Sequence, residues 1–338
     1  MGATIHDVAK RAGVSIATVS RAINNNYPVK AETREKIEKA IEELGYVPNE
    51  IARSLILKTT SSVGILVPGI TNLFFPTIVE EINRTLVNNG FTMSLYSTDG
   101  NPIMEKNVID NIISRNMDGI IAIDPSMENL DNGYFKDLSK KIPIIIINGN
   151  TNKYKGNFIC YDEEVGSIEA LQYLFKLGHR KIVFVRGDRS LSYDLKENLY
   201  RQFVKSNNLK YEKIISVGMG NSLEVVEKTR EIFEKFLHSK ENATAVFACN
   251  DLMAVGVINA CKNAQIQIPQ DISVIGCDNT LLSNIIHPKL TTIDLKMDEI
   301  GRKAAVEIID MIEKKSIVNK KIVYDTKLVI RDSCGEKK

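Results

Sequence analysis

From Val63 onward, short apolar runs alternate with amphipathic stretches, and this alternation limits the fold more than any other feature of the sequence. Runs of four or five apolar residues predict buried strands, and apolar residues spaced three or four positions apart predict helices. Strands that are apolar on both faces and separated by helices are typical of a parallel sheet that helices cover on both sides. The sequence therefore predicts an α/β architecture for most of the chain.

The alternation occurs twice, first from Val63 and again after Phe158. Two similar blocks in tandem predict two lobes with a cleft between them, and ligands of such sheets bind at the carboxyl ends of the strands. The predicted strands span 63–67, 93–96, 119–123 and 144–147 in the first block and 182–185, 214–217, 245–248 and 273–276 in the second, whose predicted helices span 165–177, 196–206 and 223–237.

Residues 1–47 contain only helical patterns. Thr4 followed by Asp7 has the spacing of a capping box, which predicts the start of a first short helix. Gly13 is expected to end that helix, and Gly45 is expected to end the third. The second and third predicted helices span 16–24 and 31–44.

The first two helices, joined by residues 12–15 (AGVS), have the arrangement of a helix-turn-helix, although any small three-helix unit contains such a turn. The second helix then fits the major groove of DNA, which is wide enough for one helix. Arg21 is its one long donor, and arginine reads guanine through two hydrogen bonds. Short polar residues suited to phosphate oxygens, which position a helix without reading sequence, are Ser15, Thr18, Ser20 and Asn24.

Charge and cysteine spacing add to this interpretation. The formal net charge is only +2, so we expect any DNA contact to be local. The five cysteines lack paired spacing, which fits a reduced cytoplasm better than a disulfide framework or a zinc site. The N-terminal residues do not have the pattern of a signal peptide, and the longest apolar runs are too short to span a bilayer. We therefore expect a cytoplasmic protein.

Motifs of catalysis are weak or missing. Gly218-Met219-Gly220 follows a predicted strand, but Leu223 occupies the place of the third glycine of a dinucleotide-binding loop. The sequence has no GxxxxGK[ST], GxSxG or HExxH motif, and its four histidines are scattered. We expect no catalysis, metal or cofactor. A sugar-binding transport protein, which also has a two-lobed cleft, would carry a signal peptide and no helix-turn-helix.

Motifs along essentially the whole chain, taken in their order, resemble those of the lactose-repressor (LacI/GalR) family of bacterial transcription regulators. Residues 4–9 (TIHDVA), 12–15 (AGVS) and 18–21 (TVSR) are similar to its helix-turn-helix signature, and 44–49 (LGYVPN) and 52–55 (ARSL) to its third-helix exit and hinge helix. Segments similar to its effector domain are 74–75 (FF), 118–121 (DGII), 178–182 (GHRKI), 250–254 (NDLMA), 276–279 (GCDN) and 290–293 (LTTI).

The resemblance implies three regions. They are a helix-turn-helix headpiece in residues 1–47, a hinge helix or linker in 48–60, and a periplasmic-binding-protein-like effector and dimerisation domain in 61–338. The first lobe of that domain would comprise 61–160 and 294–320, and the second 161–293 and 321–333. Two headpieces must pair to read two half-sites, so a homodimer on a palindromic operator is expected. Residues 328–338 do not resemble the leucine-heptad tail of the tetrameric lactose repressor.

The same resemblance implies roles at the DNA. Ile16, Ala17 and Arg21 would face base edges, and the first two would act through methyl contact and shape. Leu55 would be the hinge-helix residue that enters the minor groove and kinks the duplex; the apolar Ile56 beside it departs from the family pattern. The remaining residues of the implied DNA-binding set are Thr4, Tyr46 and Asn49.

For the effector, a small molecule such as a sugar or sugar derivative, the resemblance implies side chains at the ends of strands. Phe74 and Phe75 would stack on a ring of the ligand, although Phe75 is equally expected as a core residue. Asp162 would bind the ligand or, like Asp251, only cap a helix. The other implied ligand-binding residues are Asn72, Asn148, Asn250 and Asp278.

One departure affects the effector site. Members that bind small molecules usually carry an arginine four residues before an aromatic residue, and alignment on Phe203 puts Leu199 at that position. Arg186 or Arg189 in the preceding loop would be a substitute cation. A pocket without one fits control by a protein corepressor, as in catabolite-control members that bind a phosphocarrier protein.

Overall fold

A computed structural model of the chain describes residues 3–24, 27–47, 59–149, 153–188, 190–239, 241–314 and 319–337. The chain divides into two compact units, residues 1–60 and 61–338. None of the helices in the described ranges combines the length and the apolar character that crossing a membrane requires.

The smaller unit, called the head, consists of three helices: α1 (Ile5–Ala12), α2 (Ile16–Asn24) and α3 (Ala31–Leu44). The predicted capping box is confirmed, because the Thr4 amide donates to the Asp7 carboxylate at 2.9 Å and the Thr4 hydroxyl accepts from the Asp7 amide at 3.4 Å. Gly13 and Gly45 end α1 and α3 with φ of 67° and 57°, which a glycine adopts without a steric penalty.

The head has a core of its own. One apolar stripe from each helix meets the other two at the centre, and Val14 in the turn packs against it. Two polar contacts add to this packing, since the Arg34 guanidinium donates to the Ala22 carbonyl at 3.2 Å and Arg11 pairs with Glu43 at 2.5 Å. The buried core residues are Val8, Ala9, Val19, Ala22, Ile37 and Ala40.

The larger unit contains two six-stranded sheets, with helices packed against them. The eight predicted strands are all present, with ends that differ from the prediction by at most two residues. The strands are β1 (Ser62–Val67), β2 (Thr92–Ser97), β3 (Gly119–Ile123), β4 (Ile144–Gly149), β5 (Phe158–Asp162), β6 (Ile182–Arg186), β7 (Lys213–Ser216), β8 (Ala245–Ala248), β9 (Ser273–Asp278), β10 (Thr291–Asp294), β11 (Lys321–Asp325) and β12 (Lys327–Val329).

Helices alternate with these strands. The helix predicted to begin at Lys196 begins five residues earlier, at Leu191. The helices are α4 (Phe74–Asn88), α5 (Pro102–Ser114), α6 (Met127–Asp131), α7 (Tyr134–Leu138), α8 (Glu163–Lys176), α9 (Leu191–Ser206), α10 (Glu224–Leu237), α11 (Asp251–Asn263), α12 (Leu281–Ile285) and α13 (Met297–Lys314).

Each sheet defines one lobe. The strand order is β11-β5-β4-β3-β1-β2 in the first lobe and β12-β10-β9-β8-β6-β7 in the second. Neighbouring strands are parallel except for β12, which pairs antiparallel with β10. The carboxyl ends of the parallel strands in each sheet lie at one edge, as expected for a ligand-binding α/β architecture.

The chain crosses between the lobes at three places: from β5 to α8, from β10 to α13, and from β11 to β12. The third crossing corrects the predicted boundary at residue 321. Residues 321–325 pair with β5 in the first lobe, so the chain enters the second lobe only after Thr326. The Thr326 hydroxyl donates to the Asp162 carbonyl at 2.6 Å and accepts from the Gly166 amide at 3.0 Å, which fastens this crossing to the first one.

Helix α13 packs closely on α4 in the first lobe. A Cβ atom added at Gly301 would lie 2.6 Å from the carbonyl oxygen of Ile78 and 3.0 Å from Cβ of Glu81. The two helices can approach this closely only because position 301 has no side chain. Since α4 begins at Phe74, this contact also positions the residues at its amino end.

We expect Gly301→Ala to lower the free energy of unfolding by about 1–3 kcal/mol, because the added methyl group forces the two helix backbones apart. Helix propensity alone would predict the opposite, an increase in stability, because alanine forms helices better than glycine does. Gly69→Ala is the matched control, since a Cβ there meets nothing within 4 Å. Urea denaturation of both variants tests this prediction, and equal stabilities would contradict it.

Candidate functional site

The exposed face of α2 is the first candidate surface. Ile16, Ala17 and Arg21 are all exposed, and Ile16 shows 41% of its surface although it is a large apolar residue. Ser20 lies half-buried on the same side of the helix, whereas Val19 and Ala22 on the opposite side belong to the core of the head. The helix therefore presents one face that does not support the fold.

Arg21 extends from this face into solvent. Its guanidinium lies over the exposed ring of Tyr27, 5.2 Å from the ring centroid. This cation–π contact limits the directions that the side chain samples and leaves the donors at its edge accessible. Arg21 is thus available for the bidentate hydrogen bonding that arginine makes with guanine.

The hydroxyl groups of Ser15 and Thr18 serve the helix itself. The Ser15 oxygen accepts from the Thr18 amide at 3.1 Å and lies 2.8 Å from the Thr18 hydroxyl. Thr4 caps α1 in the same manner, and its hydroxyl donates to the Asp7 carboxylate at 2.7 Å. These three residues are therefore already engaged in capping, and a role at phosphates stays a prediction.

The other residues of the predicted DNA-binding set are less well defined. Tyr46 is half-buried and packs against the core of the head just after α3. Asn24 ends α2, but its side chain is outside the described part of the structure, as are Asn49 and Leu55. Their roles at the DNA stay predictions.

The second candidate site lies between the lobes, at the carboxyl ends of the strands, beside the crossing from β5 to α8. Its cavity, called the interlobe cavity below, has a volume of about 40 Å³, which is room for one or two water molecules. It is lined by Asn72, Phe74, Phe75, Asp124, Tyr161, Glu163, Ser190, Ser192, Tyr193, Lys196, Asn221, Cys249, Asn250, Asp278 and Leu295.

Five of the seven predicted effector residues line this cavity: Asn72, Phe74, Phe75, Asn250 and Asp278. Phe74 and Phe75 are buried at the start of α4 with their rings edge to face, 5.1 Å apart. The Asn72 side chain holds this helix start by accepting from the Phe74 amide at 3.1 Å. The aromatic wall is therefore fixed by the first turn of α4.

Asn148 and Asp162 do not line the cavity. The Asn148 side chain accepts from the Gly149 amide at 2.7 Å, at the end of β4. Asp162 caps α8 by accepting from the Glu164 amide at 3.1 Å. The observed contact of Asp162 is therefore the helix cap that was the alternative to ligand binding. Neither residue belongs to the proposed ligand site.

A buried ion pair dominates the second lobe's side of the cavity. The Lys196 ammonium lies 2.5 Å from the Glu163 carboxylate and donates to the Ser192 hydroxyl at 2.8 Å. Both charged side chains are almost completely inaccessible to solvent. Taking two charges out of water is unfavourable unless they are paired and hydrogen-bonded, so each residue depends on the other.

The ion pair of Lys196 and Glu163 was not predicted from the sequence. On α9 the residues Tyr193, Lys196, Tyr200 and Val204 form one buried stripe at helical spacing. A lysine on an otherwise apolar helical stripe was the available signal, because a lysine is seldom buried without a specific partner. Glu163 gave no such signal, since it stands among acidic residues at the start of α8.

The residue that alignment assigns to the position of the family arginine does not line the cavity. Leu199 is a buried residue of α9 and does not line it. Arg186 also stays outside, because it forms ion pairs with Asp194 and Glu197. Arg189 lies outside the described residues. Lys196, one helical turn before Leu199, supplies the cation at this site.

Uncharged polar groups link the two lobes across the cavity. Tyr193 donates from its hydroxyl to the Asn221 side-chain oxygen at 2.7 Å, and the Asn72 amide of the first lobe lies 3.5 Å from that same oxygen. The Asn250 amide donates to the Gly220 carbonyl at 2.9 Å and to the Tyr193 hydroxyl at 3.2 Å. The donors of this network are thus largely used within the protein.

Asp278 ends β9 in a strained conformation, with φ of 113°, a value that a non-glycine residue rarely adopts. Burial and the nearby Asp251 carboxylate raise the pKa of Asp278 well above its ordinary value. Asp251 itself does not line the cavity, since it accepts hydrogen bonds from the Thr280 amide and hydroxyl and from the Thr292 hydroxyl. Strained residues held by their surroundings are common at ligand sites.

Asp124 follows β3 and faces the cavity from the first lobe. Burial and the neighbouring carboxylates of Glu163 and Glu105 raise the pKa of Asp124 to about 6. None of the described residues donates a hydrogen bond to its carboxyl group. Across the described ranges, no three His, Cys, Asp or Glu side chains cluster so as to hold a metal ion.

Comparison with known proteins matches parts of both units of the chain. Residues 4–49 match the lacI family of bacterial regulatory proteins, and residues 171–334 match the periplasmic binding protein-like domain. Catabolite control protein A of Priestia megaterium is 31% identical over 326 residues, which cover 96% of each chain. The HTH-type transcriptional repressor PurR of Pasteurella multocida is 33% identical over 334 residues, 98% of each chain.

The fold also matches a solved structure, the lac repressor dimer bound to operator and the anti-inducer ONPF, with a TM-score of 0.88 and 24% identity over 99% of this chain and 100% of that chain. The head and the cavity thus define a helix-turn-helix protein with a two-lobed periplasmic-binding-like domain. The chain belongs to the lacI family of bacterial regulatory proteins. It is a DNA-binding transcription regulator, and its relatives are regulators rather than enzymes.

We expect Asp124→Asn to stabilise the protein at pH 7.5 and to change its stability little at pH 4. The pKa of Asp124 in the folded protein, about 6, lies above the value of about 3.9 in an unfolded chain. The stability of the native protein therefore falls as the pH rises from about 4 to about 6, and asparagine removes this loss.

Melting temperatures at the two pH values test this expectation, with a rise of roughly 2–4 °C for each kcal/mol gained at the higher pH. Asp110→Asn, a substitution of an exposed aspartate on α5, is the matched control. A stability difference that is the same at both pH values would contradict the assignment.

Proposed function

We propose that this regulator is a repressor that binds a palindromic operator as a homodimer and responds to a sugar-like small molecule bound in the interlobe cavity. The observation that carries the DNA-binding part is the exposed face of α2, on which Arg21 and Ile16 face solvent without contributing to the core of the head. Such a helix enters the major groove with its side chains at the base edges. The relevant compartment is the cytoplasm.

A dimer follows from the way in which α2 would contact DNA. One α2 contacts one half-site, and a specific operator needs two half-sites about one helical turn, or a multiple of it, apart. The three predicted contact residues on α2 include a single arginine. A lone head would therefore discriminate few base pairs, whereas two paired heads double the number of contacts.

The size of the interlobe cavity supports coupling between ligand and lobes. A volume of about 40 Å³ is too small for a sugar, so a ligand must widen the space between the lobes as it binds. The three crossings allow the angle between the lobes to change while each sheet stays intact. In this proposal a changed angle alters the spacing of the two hinge segments, residues 48–60, and with it the insertion of Leu55 into the minor groove.

Such coupling must be reciprocal. If the ligand changes the affinity for operator by some factor, operator changes the affinity for the ligand by the same factor. The contact between Asn72 and Asn221 bridges the lobes at the cavity, and we propose that the ligand replaces it. The ligand then alters a contact that distinguishes the two lobe arrangements.

A second candidate is control by a protein corepressor of the phosphocarrier type. The observation that favours it is the 31% identity with catabolite control protein A. Leu199 does not favour it, because the cavity contains a lysine one helical turn earlier on the same helix. A small-molecule ligand is therefore the favoured candidate.

We expect Arg21→Ala to weaken binding to an operator, selected from a random DNA pool by the wild-type protein, by about 1–3 kcal/mol and to relax the preference at one position in each half-site. The reason is the loss of a bidentate contact with a base. Fluorescence anisotropy with operator and with scrambled DNA measures both effects.

Lys39→Ala removes a positive charge from the exposed side of α3 and is the matched control. It should affect operator and scrambled DNA to the same small extent. Equal losses on the two DNAs for Arg21→Ala would show that Arg21 contacts only phosphate.

We expect Asp278→Ala to abolish the response of operator binding to any sugar that changes the operator affinity of the wild-type protein. Operator affinity without sugar should stay within about threefold of wild type, less than 1 kcal/mol, because Asp278 belongs to the larger unit and not to the head. Asp298→Ala, at an exposed position of α13, is the control. An Asp278→Ala protein that responds normally would remove this residue from the ligand site.

A further inference from the structure

We propose that the interlobe cavity selects a ligand that is rich in hydrogen-bond donors and carries no anionic group, namely an uncharged or amino-substituted polyol. Phosphorylated and carboxylated forms of the same polyol are excluded. This inference rests on the proposed function, since it assumes that the cavity is the effector site.

The charges around the cavity favour this selection. Three carboxyl groups line it, those of Asp124, Glu163 and Asp278, whereas Lys196 is the one lysine or arginine among the described lining residues. Lys196 neutralises Glu163, and the raised pKa of Asp278 favours its uncharged form, so the Asp124 carboxylate supplies the net negative charge at pH 7.5 in a space that is shielded from solvent. An anion brought there is repelled and finds little water to screen the repulsion.

The one lysine among the described lining residues is already committed. The Lys196 ammonium has three protons, one of which is shared with the Glu163 carboxylate at 2.5 Å and another with the Ser192 hydroxyl at 2.8 Å. Glu163 also accepts from the Ser192 hydroxyl at 2.7 Å. A phosphate group would have to compete with Glu163 for Lys196 and would leave that carboxylate buried without its partner.

Two of the neutral donors are committed as well. The Tyr193 hydroxyl donates to Asn221, and both protons of the Asn250 amide group go to acceptors of the protein. The Asp124 carboxyl group, in contrast, receives no hydrogen bond from any described residue. To bind Asp124, a ligand must bring hydrogen-bond donors. Hydroxyl and ammonium groups do so, whereas phosphate and carboxylate groups are mainly acceptors at neutral pH.

The aromatic residues on the first lobe fit the same class of ligand. Phe74 lies edge to face with Tyr161, with 5.6 Å between the ring centroids, and Phe75 completes this wall. An aromatic face packs against the CH groups of a sugar ring and attracts an ammonium group. Neither interaction favours an anion.

Glu163 is the specificity-determining residue in this arrangement, because it neutralises Lys196. Glu163→Gln keeps the size and the acceptor oxygen of the side chain but frees the charge of Lys196. The substitution should therefore reverse the selection: the variant should bind the phosphorylated form of a polyol more tightly than the wild-type protein does.

The experiment uses the full-length protein and a panel of mono- and disaccharides and alditols, each with its available amino, phosphate and carboxylate derivatives, such as D-glucose with D-glucosamine, D-glucose 6-phosphate and D-glucuronate. Thermal shifts identify the ligands, and calorimetry measures Kd. For the wild-type protein we expect binding of a neutral or amino form and at least about tenfold weaker binding of the anionic derivatives.

Glu164→Gln is the matched control, because it removes the same charge from an exposed neighbouring position on α8. It should leave the selection unchanged, whereas Glu163→Gln should improve the affinity for the anionic derivative about tenfold or more. If Glu163→Gln does not fold, the double variant Glu163→Gln/Lys196→Gln replaces the ion pair by two amides. That protein should bind the anionic derivative no better than wild type.

The outcomes distinguish a failure of the ligand selectivity from a failure of the effector site itself. An anionic compound that stabilises the wild-type protein more than its neutral parent, with the effect lost in Asp278→Ala, overturns this inference but leaves the effector cavity in place. A ligand whose effect persists in Asp278→Ala, or a panel without any stabilising compound, overturns the effector cavity and this inference with it. Unchanged selection in a folded Glu163→Gln protein also overturns the inference.

Discussion

The hydrogen bonds of Thr326 fasten together two of the three chain crossings between the lobes, and much of the larger unit depends on this arrangement. The crossings place the carboxyl ends of both sheets around one cavity. They also fix which helices belong to which lobe, since α13 returns the chain to the first lobe and packs on α4. In the proposed function the angle between the two lobes changes at these crossings, as a ligand-controlled regulator requires.

The sequence predicted those elements whose stability is local. The helices of the head have caps at Thr4 and Gly45, and the central strands are continuous apolar runs, so their ends were predicted to within two residues. Strand β11 was missed because it lies at a sheet edge, where half-buried and exposed residues alternate and no continuous apolar run forms. Its assignment to the first lobe depends on pairing with β5, more than 150 residues earlier, which no local pattern records.

The cavity likewise contains residues that were predicted from the sequence and residues that were not. The family resemblance assigned Asn72, Phe74, Asn250 and Asp278 to the effector site, and all four line the cavity at the carboxyl ends of the strands. The ion pair of Glu163 and Lys196 was not predictable in this way, because its members come from different helices and each is an ordinary surface residue type. Alignment on Phe203 pointed to Leu199, whereas the lysine that lines the cavity is Lys196, four residues before Tyr200.

The separation of the reading face of α2 from the core of the head has a consequence for how such regulators diversify. Ile16, Ala17 and Arg21 take no part in the packing that holds the three helices together. Under the proposed function, mutations at these positions therefore change the preferred operator at little cost in stability. After a gene duplication, one copy can acquire new target promoters by a few surface changes, while the fold and the response to its ligand are inherited intact.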